Sequence, residues 1–463
     1  KESQCITSHQ LKDINLIQII NKIKSSALLL NTLKMSMSNI IMLLLPIVVT
    51  PILSRLYLPS DFGDWGVFSS FVSIYTLALF AGYENALVKV TEEEISYTAT
   101  LCIIISLLIT IATTLAFYFS YTEQIKFSKN FPSIGLLFFY LIAYALHTVF
   151  SNMCNRYGRY SGIAIENIIL GSSQAGFRIL FGIILLSNIN GLILGTTLAQ
   201  MVTAIFLFIY LLYIKKYKQL WAFDLQKMKA IIIKYKNFVV YDAPSSILCF
   251  AGFNIPLLVL VAHFNKATIG SYSIILQLLL LPMTIIGSAI GRIYYEQLCS
   301  DNTENNRLRI QQRTIQVGKV VSLISFLPML FLACGGDKII ILFLGPKWTI
   351  SGGIALCLAF WSFPTILTQP LIPLFRYLNK QRILFYYNSI YATISIGSII
   401  IACNMSNNIY HILTLYTFTC SLVNLAMFFH ILRLANISPF VFKRYIPFWI
   451  LSSTILILRI ILI

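Results

Sequence analysis

Long apolar runs separated by short polar intervals recur from one end of this chain to the other. Read as helices, they fall at 35–56, 66–88, 97–119, 131–153, 160–186 and 191–214, then at 238–262, 269–291, 317–334, 351–375, 382–403 and 409–432. Each has close to the ~20 residues with which a helix crosses a ~30 Å hydrocarbon core. None shows the alternating ten-residue segments of an outer-membrane barrel. A thirteenth candidate, 446–463, is short and carries Arg459 near its end. The pattern predicts an all-α polytopic membrane protein with twelve transmembrane helices, the thirteenth left open within a tail at 433–463.

A lysine-rich interval at 215–237 separates six spans from six. Both bundles, 35–214 and 238–432, therefore enter the membrane from the same side, as parallel repeats do. The first hairpins of the two halves echo one another. "RLYLPSDFGDW" (55–65) aligns with "AHFNKATIGSY" (262–272) when Gly63 is set over Gly270; Tyr57 then lies over Phe264, Phe62 over Ile269 and Trp65 over Tyr272.

Composition narrows the class. Of 463 residues, 58% are hydrophobic and 11% charged, against roughly 25% charged in soluble domains. The net charge of +18 is distributed by loop. With the N-terminus in the cytoplasm, Arg156, Arg159, the lysines of 215–236, Arg292, Arg307, Arg309, Arg313, Arg376, Lys380, Arg382, Arg433, Lys443 and Arg444 all fall inside. The opposite side holds only Arg55, Lys126, Lys129, Lys266, Lys338 and Lys347. This is the positive-inside bias, and it directs the basic face to anionic lipid with no nucleic-acid partner required. Residues 1–34 form an extension with Met35 and Met37 as alternative starts. Over 14–34 it reads either as an interfacial amphipathic helix, with Lys22, Lys24 and Lys34 at the headgroups, or as an unordered segment. No small-residue cleavage site marks a signal peptide.

Catalytic chemistry is not legible. The nine cysteines are scattered, mostly within spans, with no metal-ligand spacing. His147, His263, His411 and His430 are isolated from one another, and no phosphate-cradling glycine loop followed by Lys-Ser/Thr is present. Outer loops of about a dozen residues leave no room for the large catalytic loop of a membrane glycosyl polymerase. The reading is a transporter with no cofactor and no metal.

The first hairpin also carries a family resemblance. "SRLYLPSDFGDWGVFSSFVSI" (54–74) with "GYENALV" (82–88) resembles the start of Wzx-type polysaccharide flippases, the polysaccharide biosynthesis branch of the MOP superfamily. "YDAPSSILCFAGFNIPLLVL" (241–260), "GSYSIILQLLLLPMTIIGSAIGRIYYEQ" (270–297) and "FLGPKW" (343–348) follow in the same order. Lipid II flippases and multidrug (MATE) exporters share the superfamily, but their motifs are less similar. The resemblance implies two six-helix bundles in a V around a central cavity, in the bacterial inner membrane. It implies transport of undecaprenyl-pyrophosphate-linked oligosaccharides for O-antigen, capsule or a similar glycan. Membrane lipids, a polysaccharide polymerase and a chain-length regulator are the implied partners.

A glycan diphosphate cannot cross hydrocarbon without replacement of its lost water, so charges inside spans become the candidate site. Arg178 lies on a stripe of span five with Asn167, Gly171 and Gln174, and a guanidinium can grip phosphate oxygens bidentately. The alternatives are pairing with Glu166 or snorkelling to headgroups. Arg55, Arg292 and Arg376 are further cationic candidates that equally serve as anchors and topology determinants. Glu84, on a polar face with Ser69, Ser73, Thr76 and Phe80, is an ion-coupling candidate. So are Glu166 and Asp242, since a partly buried carboxylate can exchange protons near neutral pH. Glu296 follows span eight, and Glu92–Glu94 reads as a wet loop. Tyrosines such as Tyr386, Tyr387 and Tyr391 could stack on sugars or line lipid. A drug or small-molecule exporter would need an acidic, aromatic cavity, and a glycosyltransferase would need catalytic carboxylates. With no nucleotide motif, transport should run on an ion gradient or on product removal; liposome transport that required ATP hydrolysis by this chain would overturn the reading.

Overall fold

The computed structural model describes residues 27–122, 131–184, 190–214, 221–236, 239–240, 243–299 and 306–461. Among these, ten helices are long and apolar enough to cross a membrane, and Ser246–Leu260 and Ile446–Ile461 are shorter apolar helices. The first half comprises α1 (Ala27–Leu56), α2 (Pro59–Ala78), α3 (Tyr83–Ala86), α4 (Ile95–Thr122), α5 (Ile134–Arg156), α6 (Tyr160–Ile184) and α7 (Gly191–Tyr213). A linker helix, α8 (Leu225–Lys234), precedes the second half: α9 (Ala243–Leu260), α10 (Lys266–Cys299), α11 (Asn306–Ser325), α12 (Leu327–Phe331), α13 (Asp337–Leu344), α14 (Thr349–Thr368), α15 (Pro373–Tyr377), α16 (Gln381–Met405) and α17 (Ile409–Leu434). The last helix is α18 (Ile446–Ile461).

Local chemistry sets several of these starts. Pro59 opens α2 at a position where its missing N–H costs nothing, and Asp61 accepts the Leu58 N–H at 2.8 Å. Ser133 caps α5, Asp224 caps α8 and Asn408 caps α17. Asn190 caps α7 while its amide donates to the Asp61 carbonyl at 2.6 Å. One side chain thus ties the beginnings of two helices together. The linker helix α8 lies against the start of α4. Lys234 pairs with Glu94 at 2.7 Å, and that bond holds the Glu94 carboxyl below its usual range.

The two halves repeat one neighbour scheme. α1 packs on α6, α6 on α7, and α5 on both α4 and α7; correspondingly α9 packs on α16, α16 on α17, and α14 on both α13 and α17. Large apolar side chains such as Leu108, Phe119, Ile183 and Ile209 remain exposed on the outside, as a hydrocarbon environment permits.

The halves meet through α2, which packs on α9 and α10. The contact rests on glycines. A Cβ on Gly63 would overlap the Lys266 carbonyl, and one on Gly270 would overlap the Pro59 carbonyl. The register that sets Gly63 over Gly270 also sets Pro59 over Lys266 and Gly66 over Ser273. Gly66 and Ser273 are themselves in contact. Each residue here meets its own counterpart's neighbour, as in a two-fold interface. Lys266 Nζ reaches Asp64 at 2.8 Å, and Ser273 Oγ donates to the Phe62 carbonyl at 3.1 Å. Nearby, Trp348 packs edge-on against Phe62 with centroids 5.1 Å apart and donates to the Ser54 carbonyl at 3.0 Å. Ser54 donates in turn to Leu344 O at 2.7 Å. All of these ties lie at the end of the bundle that carries the 57–58 turn, called here the turn end.

Four spans depart from expectation. The eighth, expected over 269–291, runs on to Cys299, so Glu296 lies within the helix and does not follow it. The second, expected over 66–88, is helical only to Ala78. Ala81 (φ 50°) and Gly82 (φ 87°) then turn left-handed, and α3 starts afresh. Glu84 therefore lies on α3, a separate helix from Ser69, Ser73 and Thr76. The ninth, expected to end at 334, kinks at Gly335 (φ 106°), where the backbone leaves the helical region, and resumes in α13 to Leu344. Lys338, expected in a loop, is therefore helical. Arg459 of α18 bridges this kink, donating to Leu332 O at 2.7 Å and pairing with Asp337 at 2.8 Å. The tenth, expected as one helix over 351–375, is broken at Gln369–Leu371 before α15. The thirteenth candidate does form a helix; its 16 residues reach about 24 Å, short of the ~30 Å core.

Gly270→Ala should destabilise the protein by about 1–3 kcal/mol through overpacking, read as a lower Tm in detergent. Gly176→Ala, with nothing within 4 Å of the added Cβ, should leave Tm unchanged or raise it.

Candidate functional site

The polar stripe of α6 faces inward. Asn167 is buried and donates through Nδ2 to Asn39 Oδ1 at 2.7 Å and Ser38 Oγ at 3.2 Å, both on α1. Gly171 lies against the Met42 backbone of α1, where any larger residue would push the helices apart. Gln174 is half-buried one turn further on. Arg178 is only 4% exposed.

The surroundings of Arg178 come from three helices. Its Nε and Nη2 donate to Thr196 Oγ1 of α7 at 3.2 and 2.8 Å. Its guanidinium sits over the Trp65 ring of α2, 4.9 Å from the centroid, a cation–π contact. Tyr57 donates its hydroxyl proton to the Arg178 carbonyl at 2.7 Å. Gly195 leaves room for the Arg178 backbone to approach α7. Among the described residues no carboxylate lies within 4.0 Å of this guanidinium. A buried charge ordinarily requires a counter-charge, and none of the described residues supplies one.

Glu166 does not supply that charge. It lies twelve residues earlier on α6, about 18 Å along the axis, and is engaged elsewhere. Its Oε1 meets His147 Nε2 of α5 at 2.6 Å, and its Oε2 accepts from Ser151 Oγ at 3.0 Å. Gln200 Nε2 of α7 meets His147 Nδ1 at 2.6 Å. The expected alternative of an Arg178–Glu166 pair is thus replaced by a His147–Glu166 pair. The sequence left His147 isolated because its partners sit on neighbouring helices.

Arg55 is exposed at the turn end and donates to the Pro51 and Phe343 carbonyls. Arg292, Arg376 and Glu296 are exposed on α10 and α15. Glu84 is half-buried on α3, where its carbonyl accepts from Asn152 at 3.2 Å. Asp242 lies outside the described residues. Of the tyrosines, Tyr391 is buried and accepts from Trp361 Nε1 at 2.8 Å, whereas Tyr386 is exposed.

The matched family model now decides what kind of chain this is. A model described as "Polysaccharide biosynthesis protein" matches residues 52–351. The chain belongs to that family. Among curated proteins none matches. Solved structures share the fold of this polysaccharide biosynthesis protein. An inward-facing MATE-family multidrug resistance transporter of the MOP superfamily is 16% identical, with a TM-score of 0.63 over 85% of this chain and 95% of its own. A MOP superfamily transporter from Pyrococcus furiosus, whose binding pocket is described as reversed in polarity, is 16% identical with a TM-score of 0.58, covering 88% and 95%. An outward-facing MATE transporter is 15% identical with a TM-score of 0.55, covering 88% and 96%. Family and fold agree with the Wzx-type, MOP-superfamily resemblance, and the chain is a multi-pass membrane protein.

Thr196→Val should cost about 1–3 kcal/mol by stranding the buried guanidinium. In an Arg178→Met background the same change should cost much less, a coupling readable as a double-mutant cycle of thermal unfolding. Equal costs in the two backgrounds would show that the hydroxyl does not serve Arg178.

Proposed function

We propose that this polysaccharide biosynthesis protein is a flippase. It carries undecaprenyl-pyrophosphate-linked oligosaccharides from the cytoplasmic to the outer leaflet of the bacterial inner membrane, driven by an ion gradient. The observation that carries the reading is Arg178, a buried guanidinium held by Thr196 and Trp65 with no acid within 4.0 Å among the described residues. Such a group is tolerable when a ligand anion completes it, and its planar fork fits phosphate oxygens. The polyprenyl tail needs no protein interior, since it stays in lipid. A cationic drug would meet repulsion at this point, which weighs against the exporter reading.

Alternating access follows from how the halves join. Their polar and aromatic ties gather at the turn end, which the lysine and arginine distribution places outside. The α2–α10 crossing then acts as the closed outer gate, and rocking about it would exchange access between leaflets. Glycan delivery to a polymerase and a chain-length regulator is the corresponding place in assembly.

Arg178→Ala should abolish complementation of a surface-glycan-deficient strain at normal protein abundance. Arg178→Lys should restore only part, because an ammonium keeps the charge and loses the fork. Loss of one charge-assisted contact is worth about 1.5–3 kcal/mol, roughly 10- to 150-fold in binding. Full activity of the alanine variant at normal abundance would refute the role; loss of protein instead would make Arg178 a packing residue.

A further inference from the structure

We infer that His147, Glu166, Gln200 and Ser151 form a proton-binding site in the first half, and that the ion loaded there is a proton. The geometry is complete on three helices. Gln200 Nε2 can only donate, so His147 Nδ1 accepts, and the ring's single proton sits on Nε2 and points at Glu166 Oε1. Ser151 Oγ donates to the other carboxylate oxygen. Every polar atom of the pair is matched while the site carries one negative charge.

A second state is equally well matched. One proton from water binds His147 Nδ1, the Gln200 amide turns over, and its Oε1 accepts the new N–H. Nε2–H stays on Glu166, and the site goes from net −1 to neutral with no bond to carbon made or broken. By turning over, the Gln200 amide offers a donor to the first state and an acceptor to the second. A metal cation fits poorly, since both carboxylate oxygens already face donors and hard cations need open oxygen ligands. Among the described residues no group of three or more His, Cys, Asp or Glu could hold a metal.

Several titratable groups surround the pair. On α5, Tyr144 sits three residues before His147 and lies near the Glu84 charge, and Arg156 ends the helix; on α4, Cys102 also lies near Glu84. On α5, Cys154 lies within reach of both Glu166 and Arg159, and Arg159 is exposed. On α3, Glu84 is linked through its backbone to Asn152. On α1 the nearest ionisable residue is Lys34, exposed one turn before Ser38; α7 offers only Tyr210 and Tyr213, both well past Gln200; α6 adds Tyr160 and Arg178. The side chains of His147 and Glu166 are 12% and 5% exposed.

Two measurements test this, the second resting on the transport reading above. In nanodiscs, imidazole 15N spectra, with the His147 signals assigned by difference from His147→Asn, should show one-proton imidazole at high pH. They should show reversible conversion to the two-proton form as the pH is lowered over the range in which the protein stays folded. Glu166→Gln should remove that conversion. An imidazole fixed in one state across the range would overturn the site. In proteoliposomes loaded with fluorescent undecaprenyl diphosphate, a one-unit pH gradient should bias the leaflet ratio up to about tenfold at one proton per cycle. A sodium gradient should do nothing, and His147→Asn and Glu166→Gln should lose the pH effect. A pH bias persisting in both variants would overturn the coupling. If His147 titrates while wild type moves no lipid diphosphate, the proton site stands and the flippase reading fails.

Discussion

Two missing side chains, at Gly63 and Gly270, determine how near the halves of this protein can come. With hydrogen in place of a methyl group, α2 and α10 cross backbone to backbone, and each glycine lies under a carbonyl of the other helix. The rest of the turn end depends on that distance. Lys266 reaches Asp64, Ser273 reaches the Phe62 carbonyl, and Trp348 closes over Phe62 only because the helices are this close. It also accounts for the modest oiliness of α2. Its serines and aspartates face protein where other spans face lipid, so hydropathy alone leaves it out of the ten spanning helices.

The spans were legible because burial in hydrocarbon imposes a length and a composition on each one locally. The boundaries that moved were set by other forces. Ala78 ends the second helix through backbone torsion at Ala81 and Gly82, which leaves no mark on hydropathy. The ninth span kinks at Gly335 and resumes in α13, and Arg459, distant in sequence, bridges the two sides of the kink through Leu332 O and Asp337. The candidate site divides in the same way. Arg178 stood out as a charge in an apolar run, and its stripe with Asn167 and Gly171 is real. Thr196, Trp65, His147 and Gln200 did not stand out, since each is ordinary on its own helix and acquires a role only through helix order. An ionisable His147 amid "YALHTVF" was the available signal, read against other histidines when its partner was an acid.

Both polar clusters of the first half share α6, yet they do not neutralise each other. Glu166 looks toward α5 and Arg178 toward α2 and α7, three turns apart. Opposite charges kept separate in a low-dielectric interior are costly, and a chain selected only for stability would have joined or removed them. Their separation on one rigid helix means that any tilt of α6 relative to α1 moves both at once.

The clasp of Arg459 on Asp337 bears on how the chain is made. The two residues are 122 positions apart, and a carboxylate inside an apolar span is expensive until it is paired. During synthesis α13 enters the membrane with that acid unmatched, and the matching guanidinium arrives only after α14 to α17 are in place. The second half is therefore tied together late: α18, which pairs with Asp337, is made only after α14 to α17. A nascent chain arrested before it would present an unneutralised helix to the membrane's quality-control proteases.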